Sequence, residues 1–301
     1  MTRVISAIGH VALRVRDRAA VERVARDIIG LAESGRDDEW TYFTADTSHH
    51  SLQYAEGDED AVDHLGLVAP GPAALEEIGR RLDAEGVRII ADRPLDPQLE
   101  EGLVFEAPGG FVFEVYVGMP SVEVPLPARG VRPTRFGHYT LTVADTAPLS
   151  DFLERVLDFR VSDVVEAGRF LRCNIEHHGI AVLPGEGEGR LHHHAWEVRD
   201  IGEIVRLADL LDSRGERLIW GPIRHGAGNN IAAYFVDPAG VVVEYYTDML
   251  RIYDEDHVPG QWTMEDPRSY SLWAPIPPPG DFMGLGVPPA ARDRVGRGLD
   301  G

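Results

Sequence analysis

The feature that most constrains this chain is that its sequence is stated twice. Ile-Gly-His-Val-Ala-Leu-Arg-Val at 8–15 recurs as Phe-Gly-His-Tyr-Thr-Leu-Thr-Val at 136–143. Asp-His-Leu-Gly-Leu-Val at 63–68 lies in register with His-His-His-Ala-Trp-Glu at 192–197, and Phe-Val-Phe-Glu-Val-Tyr at 111–116 with Val-Val-Val-Glu-Tyr-Tyr at 241–246. The spacing repeats as well as the residues. His64 follows His10 by 54 positions and His193 follows His138 by 55; Glu114 follows His64 by 50 and Glu244 follows His193 by 51. Such a chain is built from equivalent structural units, each supplying the same core face.

Within each half the periodicity switches between strand and helix in a fixed order. In the first half we expect strands at 4–15, 40–44 and 51–54 around a helix at 16–31, then strands at 63–69 and 87–91 around a helix at 72–85, and two strands about the Ala-Pro-Gly-Gly turn at 107–110. The second half repeats this with strands at 136–143, 169–175, 180–183 and 191–198, helices at 147–159 and 201–214, and a last strand pair about the turn at 237–240. The expected fold is therefore α+β, two tandem domains of paired βαβββ modules. Residues 1–119 form a mainly structural domain and 135–250 the catalytic one. Between them, prolines at 120, 125, 127 and 133 mark 120–134 as a linker, since proline cannot serve a central strand. The remaining 251–301 form a partly irregular tail, whose stretch from Pro275 to Gly301 opens on Pro275, Pro277, Pro278 and Pro279, with Asp254 to His257 expected to cover the mouth of the site.

Net charge is −21 from 29 basic and 50 acidic residues, so an anionic nucleic acid or membrane surface would be repelled. The single cysteine, Cys173, excludes an internal disulfide and a Cys-based zinc cage. No apolar run approaches the roughly 18–20 residues of a membrane span, and Met1 to Ala12 holds no long apolar leader core; a cytoplasmic location is expected.

His138, His193 and Glu244 each fall on an expected strand among apolar residues. A single strand histidine is ordinarily a packed core residue. Recurrence at matched spacing in both halves turns the reading toward a metal centre, because two neutral imidazoles and one carboxylate are the ligand set of non-haem Fe(II) oxygenases; Mn(II) suits the same donors. Strand alternation places His193 on one face with Leu191 and Ala195, and His192 and His194 on the other, where packing or solvent is expected. The equivalent set His10, His64 and Glu114 is a possible second metal site.

With these residues in hand, the chain resembles the type I extradiol catechol dioxygenases of the vicinal oxygen chelate superfamily. The resemblance rests on Gly-Arg-Leu-His-His at 189–193, Gly-Pro-Ile-Arg-His-Gly at 221–226, Tyr-Phe-Val-Asp-Pro at 234–238 and Glu244, and extends from Gly9-His10 to Leu272-Trp273. It implies that each paired module curls into an open barrel-like mixed sheet and that His138, His193 and Glu244 bind Fe(II) or Mn(II). It further implies acid-base work by His178, with His177 as the alternative, and hydrogen bonding of substrate oxygens by His225 and Tyr234. Imidazole suits this chemistry because it titrates near neutral pH. The implied partners are a small catechol and O2, and the implied assembly a homo-oligomer.

The same resemblance places Trp220 and Tyr270 where relatives that take acidic catechols carry arginines, so a neutral or apolar ring substituent is expected, unless Arg251 or Arg268 supplies a charge. His257 is a further candidate substrate contact. The first half reads Val104 where Tyr234 would be, which points to a structural role. Two rival functions remain on the same scaffold: a glyoxalase-type metal-dependent isomerase or transferase, and a metal-free protein that binds aromatic compounds.

Overall fold

The computed structural model describes residues 3–123 and 131–291. Part of the expected linker and the last ten residues of the expected tail lie outside that range. Four βαβββ modules follow one another. The first comprises β1 (Ala7–Val15), α1 (Arg18–Asp27), β2 (Ala32–Arg36), β3 (Trp40–Thr44) and β4 (Leu52–Glu56). The second comprises β5 (Ala61–Val68), α2 (Pro72–Glu85), β6 (Ile89–Ala91), β7 (Glu101–Glu106) and β8 (Val112–Val117). In the second half come β9 (Arg135–Val143), α3 (Thr146–Leu157), β10 (Arg160–Val165), β11 (Gly168–Arg172) and β12 (Ile180–Pro184). The last module is β13 (Arg190–Glu197), α4 (Ile201–Ser213), β14 (Trp220–Arg224), β15 (Ile231–Val236) and β16 (Val242–Thr247), after which a short β17 (Gly260–Trp262) adds to β10.

Each half is one mixed sheet. The first runs β2-β3-β4-β1-β5-β8-β7-β6 and the second β14-β15-β16-β13-β9-β12-β11-β10-β17. In both, the first strands of the two modules pair antiparallel at the centre, and each pairs in parallel with the last strand of its own module. Strands β2, β10, β14 and β17 were not expected. They lie at or next to a sheet edge, where one partner suffices; Ala-Glu-Ser-Gly-Arg and Trp-Gly-Pro-Ile-Arg consequently carry Gly, Pro and charge in place of apolar alternation.

The helices are set by their ends. Asp17, Asp145 and Asp200 cap α1, α3 and α4 through their carboxylates, while α2 opens on Pro72 and closes on Gly86 at φ 67°. One apolar core runs through both halves, with Phe105 of β7 against Phe152 of α3 at 5.9 Å. Across the same seam the Tyr245 hydroxyl donates to the Ile29 carbonyl at 2.5 Å, and Arg81 pairs with Asp158 at 2.7 Å. No helix among the described residues is long and apolar enough to cross a membrane.

Four bulges at the centre of the two sheets aim the conspicuous histidines. Between Ala195 and Trp196 of β13, β9 fits one extra residue at Gly137-His138; between Ile8 and Val11, β1 does the same at Gly9-His10. On the facing strands the extra residues are His192, between Leu191 and His193, and Asp63, between Val62 and His64. A bulge turns its side chains out of strict alternation. Gly137 is required there, because a Cβ would lie 1.9 Å from the hydroxyl of Tyr246, whose ring packs on His138 at 4.9 Å.

Two outcomes follow for stability. Gly137→Ala is expected to cost about 1–3 kcal/mol through overpacking, with Gly137→Ala/Tyr246→Leu recovering part of it in urea denaturation; an unchanged midpoint in the single variant would show the contact is not tight. Second, Glu22 fastens α1 to β2 and β3. Burial opposes its ionisation, but the Thr41 hydroxyl at 2.7 Å and the Arg36 and Arg18 guanidinia, each at 2.9 Å, hold its carboxyl at about 2, below the ordinary 4.5. The folded value lies below the unfolded one, so this stabilisation is present above pH 4.5 and is lost as pH falls toward 2. The stability gap between wild type and Glu22→Gln should therefore narrow from pH 5 to pH 3; a constant gap would contradict the assignment.

Candidate metal centre and catalytic cavity

The central strands β9, β13 and β16 bring His138, His193 and Glu244 together, their ligand atoms all within 4.8 Å of one another and all three residues buried. Glu244 Oε2 lies 3.1 Å from His138 Nε2 and 3.1 Å from His193 Nε2. The other carboxylate oxygen accepts from Asn230 Nδ2 at 3.1 Å. Asn230 did not stand out in the sequence, since it sits in a Gly-Asn-Asn loop with no repeat partner.

His192 departs from expectation. The bulge sets it beside His193 on the cavity side, whereas His194 is buried and accepts from Trp196 Nε1 at 2.8 Å. Strict alternation placed His192 with His194, and alternation fails at an extra residue.

The partners of these rings fix where their protons reside. The Phe282 carbonyl can only accept, so His192 Nε2 donates to it at 2.6 Å and His192 Nδ1 is an acceptor. His193 Nδ1 therefore donates to His192 Nδ1 at 2.7 Å, which leaves His193 Nε2 bare and facing the carboxylate. Burial pushes His192 down to about 3 and also lowers His193. Although burial opposes ionisation of Glu244, His138 beside it holds its carboxyl well below the ordinary range. A bare imidazole nitrogen and a carboxylate oxygen 3.1 Å apart repel unless a cation lies between them. The donor set thus fits a divalent ion, and with two neutral imidazoles and one carboxylate the net charge would be +1.

The triad forms one wall of a cavity of about 240 Å³. His178 also lines it, its ring 4.3 Å from that of His138. His177 lies behind, buried, with Nε2 3.1 Å from Asp163 Oδ2 and Nδ1 3.0 Å from His178 Nδ1. The Asp163 carboxylate, close to His177 Nε2 though not in hydrogen-bond alignment with it, favours the proton on that nitrogen; His178 Nδ1 then donates to His177 and His178 Nε2 is left free to act as a base. Burial, reinforced by the neighbouring histidines, holds His178 well below its ordinary value and keeps it neutral.

Opposite, the His225 Nδ1 donates to the Tyr270 carbonyl at 3.0 Å, and His225 Nε2 accepts from the Tyr234 hydroxyl at 2.7 Å. Burial lowers His225 and raises Tyr234 well above the ordinary tyrosine value, so both are neutral. Trp220 stacks on Tyr234 at 5.3 Å, and Trp220, His225, Tyr234 and Tyr270 all line the cavity. His257 does not join them: its Nε2 donates to the Ser162 carbonyl at 2.9 Å, and it is not among the cavity residues. Residues from the later tail close the cavity instead, notably Met264, Pro278, Phe282 and Met283. Neither Arg251, paired with Glu176 at 3.3 Å, nor Arg268 lines it.

A protein with tandem βαβββ domains and a buried His-His-Glu set lining a cavity belongs to a recognisable class. The chain matches the profile of the Glyoxalase/Bleomycin resistance protein/Dioxygenase superfamily over residues 7–115 and 135–245, and it is a member of that superfamily. It is 26% identical to a manganese-dependent 2,3-dihydroxybiphenyl 1,2-dioxygenase of Geobacillus genomosp. 3, across 91% of this chain and 95% of that one. It is 28% identical to a biphenyl-2,3-diol 1,2-dioxygenase of Paraburkholderia xenovorans, across 80% and 87%. Among solved structures, the Mn(II)-bound glyoxalase from Novosphingobium aromaticivorans superposes with a TM-score of 0.86 at 28% identity, covering 98% of both chains. Homoprotocatechuate 2,3-dioxygenase from Arthrobacter globiformis shares the fold, with a TM-score of 0.88 at 22% identity over 97% and 94%.

His192→Phe keeps the ring volume but removes the acceptor that orients His193. Metal affinity is expected to fall about 10–100-fold in a chelator competition titration; undiminished affinity would show that His192 does not orient the ligand.

Proposed function

We propose that the protein is an extradiol ring-cleaving dioxygenase acting on a catechol with an apolar substituent, with His138, His193 and Glu244 holding Fe(II) or Mn(II). The observation that carries this reading is the convergence of a three-ligand set, a free neutral imidazole and a paired neutral tyrosine on one apolar cavity. When bound, such an ion would supply Lewis acidity toward the catechol and a route for electron density from the catechol to O2.

The chain's own groups do the rest. His178, neutral and with Nε2 free, takes a catechol proton and returns it during ring opening. The Tyr234 hydroxyl, whose single proton goes to His225 Nε2, presents its oxygen as acceptor to a catechol O–H without adding charge. Phe170, Leu183 and Trp220 flank the ring, and Phe282 and Met283 exclude water. Among the described residues, Glu166 is the only charged residue besides Glu244 that lines the cavity, and no arginine does; an acidic substituent would find no cationic partner among them. The catechol and O2 combine into one ring-opened muconic semialdehyde-type product.

The second reading, a glyoxalase-type isomerase, is favoured by the likeness to the Novosphingobium glyoxalase. Against it, the converging ligand set among the described residues has three members, not four, and isomerisation has no use for the His225–Tyr234 pair. A metal-free aromatic-binding role is disfavoured by the bare nitrogen facing Glu244.

The test is oxygen uptake by protein loaded separately with Fe(II) and Mn(II), offered catechol, 3-alkylcatechols, 2,3-dihydroxybiphenyl and 3,4-dihydroxyphenylacetate. Stoichiometric uptake with a yellow product is expected, strongest for apolar substituents. His178→Gln should lower kcat roughly 10²–10⁴-fold with metal content intact. Absence of uptake with every catechol by metal-replete protein would sink the proposal.

A further inference from the structure

The first half carries a second set of converging ligands that the proposed reaction does not use. His10, His64 and Glu114 hold their ligand atoms within 4.8 Å of one another, on β1, β5 and β8, and all three are buried. His10 Nε2 lies 3.2 Å and His64 Nε2 3.5 Å from Glu114 Oε2. Bonds of about 2.1 Å place neighbouring ligand atoms roughly 3.0 Å apart in octahedral and roughly 3.4 Å in tetrahedral coordination, so the spacing suits one ion.

We infer that this set is a second metal site, holding a divalent transition-metal ion permanently and closed to substrate. Three observations carry it. First, the local proton pattern repeats that of the cavity site. Arg14 Nε donates to Asp63 Oδ2 at 2.6 Å, and Asp63 Oδ1 lies 2.7 Å from His64 Nδ1. Asp63 occupies the bulge position of His192 and does the same work, taking the His64 Nδ1 proton and leaving Nε2 to face Glu114. Glu114 Oε1 accepts from Leu95 N at 2.6 Å, as Glu244 Oε1 accepts from Asn230.

Second, buried polar atoms without hydrogen-bond partners gather here. Both nitrogens of His10, Glu114 Oε2 and Gln53 Oε1 have none. Buried polar atoms are otherwise almost always paired, and a cation among them would satisfy several at once. Gln53 Nε2 is 3.1 Å from His64 Nε2; a half-turn of its amide aims Oε1 into the site as a fourth ligand.

Third, the features that open the other site are missing. Gln53 fills the register position of Ala181, Val104 faces Glu114 where Tyr234 faces Glu244, and Trp40 packs against His64 at 6.0 Å. A closed shell of protein ligands is the mark of a structural site, an open one of a catalytic site.

The experiment is metal analysis of purified protein loaded with Mn(II) or Zn(II) and dialysed against a mild chelator. Wild type should retain two equivalents per chain and His138→Ala/His193→Ala one, which exchanges slowly and raises Tm when bound. His64→Ala should drop wild type from two equivalents to one without loss of ring cleavage; Glu114→Gln, closer in shape, must show the same loss should His64→Ala fail to fold. A double variant with no bound metal, beside wild type with one equivalent, overturns this inference and leaves the proposed enzyme standing. A single equivalent that survives in the double variant and vanishes in His64→Ala supports it and removes the basis of the proposed enzyme.

Discussion

The structure depends on a carboxylate oxygen shared by two imidazoles. Glu244 Oε2 stands 3.1 Å from His138 Nε2 and from His193 Nε2, all three side chains being buried. A neutral imidazole carries one proton on either of two nitrogens, so which nitrogen faces the carboxylate decides whether the contact is a hydrogen bond or an ion site. The fold settles this from behind, through groups that can only accept. A backbone carbonyl orients His192 and thereby His193, a carboxylate orients His177 and thereby His178, and another carbonyl orients His225 toward Tyr234. His193 and His178 are each one step removed from a fixed acceptor, and His225 meets its acceptor directly.

Burial then does what no single contact does. It lowers His178, His193 and His225 and raises Tyr234, so the cavity groups are neutral and the fixed negative charge of the ligand set is concentrated on Glu244. In so dry a place a bound cation keeps most of its charge for the substrate. The lining that sets the dielectric includes Phe170, Leu183 and Phe282, side chains with no group to pair with a charge.

Much of this was legible in the sequence because duplication gave every strand residue a counterpart. The matched spacings of His10, His64 and Glu114 against His138, His193 and Glu244 fixed the register of the central strands, and register places ligands. The edge strands escaped because edges need no alternation; Trp-Gly-Pro-Ile-Arg reads as a loop. His192 was misplaced because a bulge suspends the two-residue period over one residue, a local event that leaves no trace in composition. Asn230 and Phe282 were invisible for another reason: they act through one side-chain amide and one backbone carbonyl, and neither recurs in the first half.

The segment after the last strand has a further consequence. Val287 bridges to Leu191 through paired backbone hydrogen bonds of 2.8 and 3.1 Å, and two and three residues on Pro289 bridges to Val62 and Ala290 donates to it at 2.8 Å. The segment thus straps the central strand of one half to that of the other, while Phe282 both walls the cavity and holds His192. Wall and grip thus sit on one residue but on different parts of it: a shift of the Phe282 backbone would disturb the proton arrangement behind His193, whereas a turn of its ring would reshape the cavity and leave the carbonyl on His192 in place.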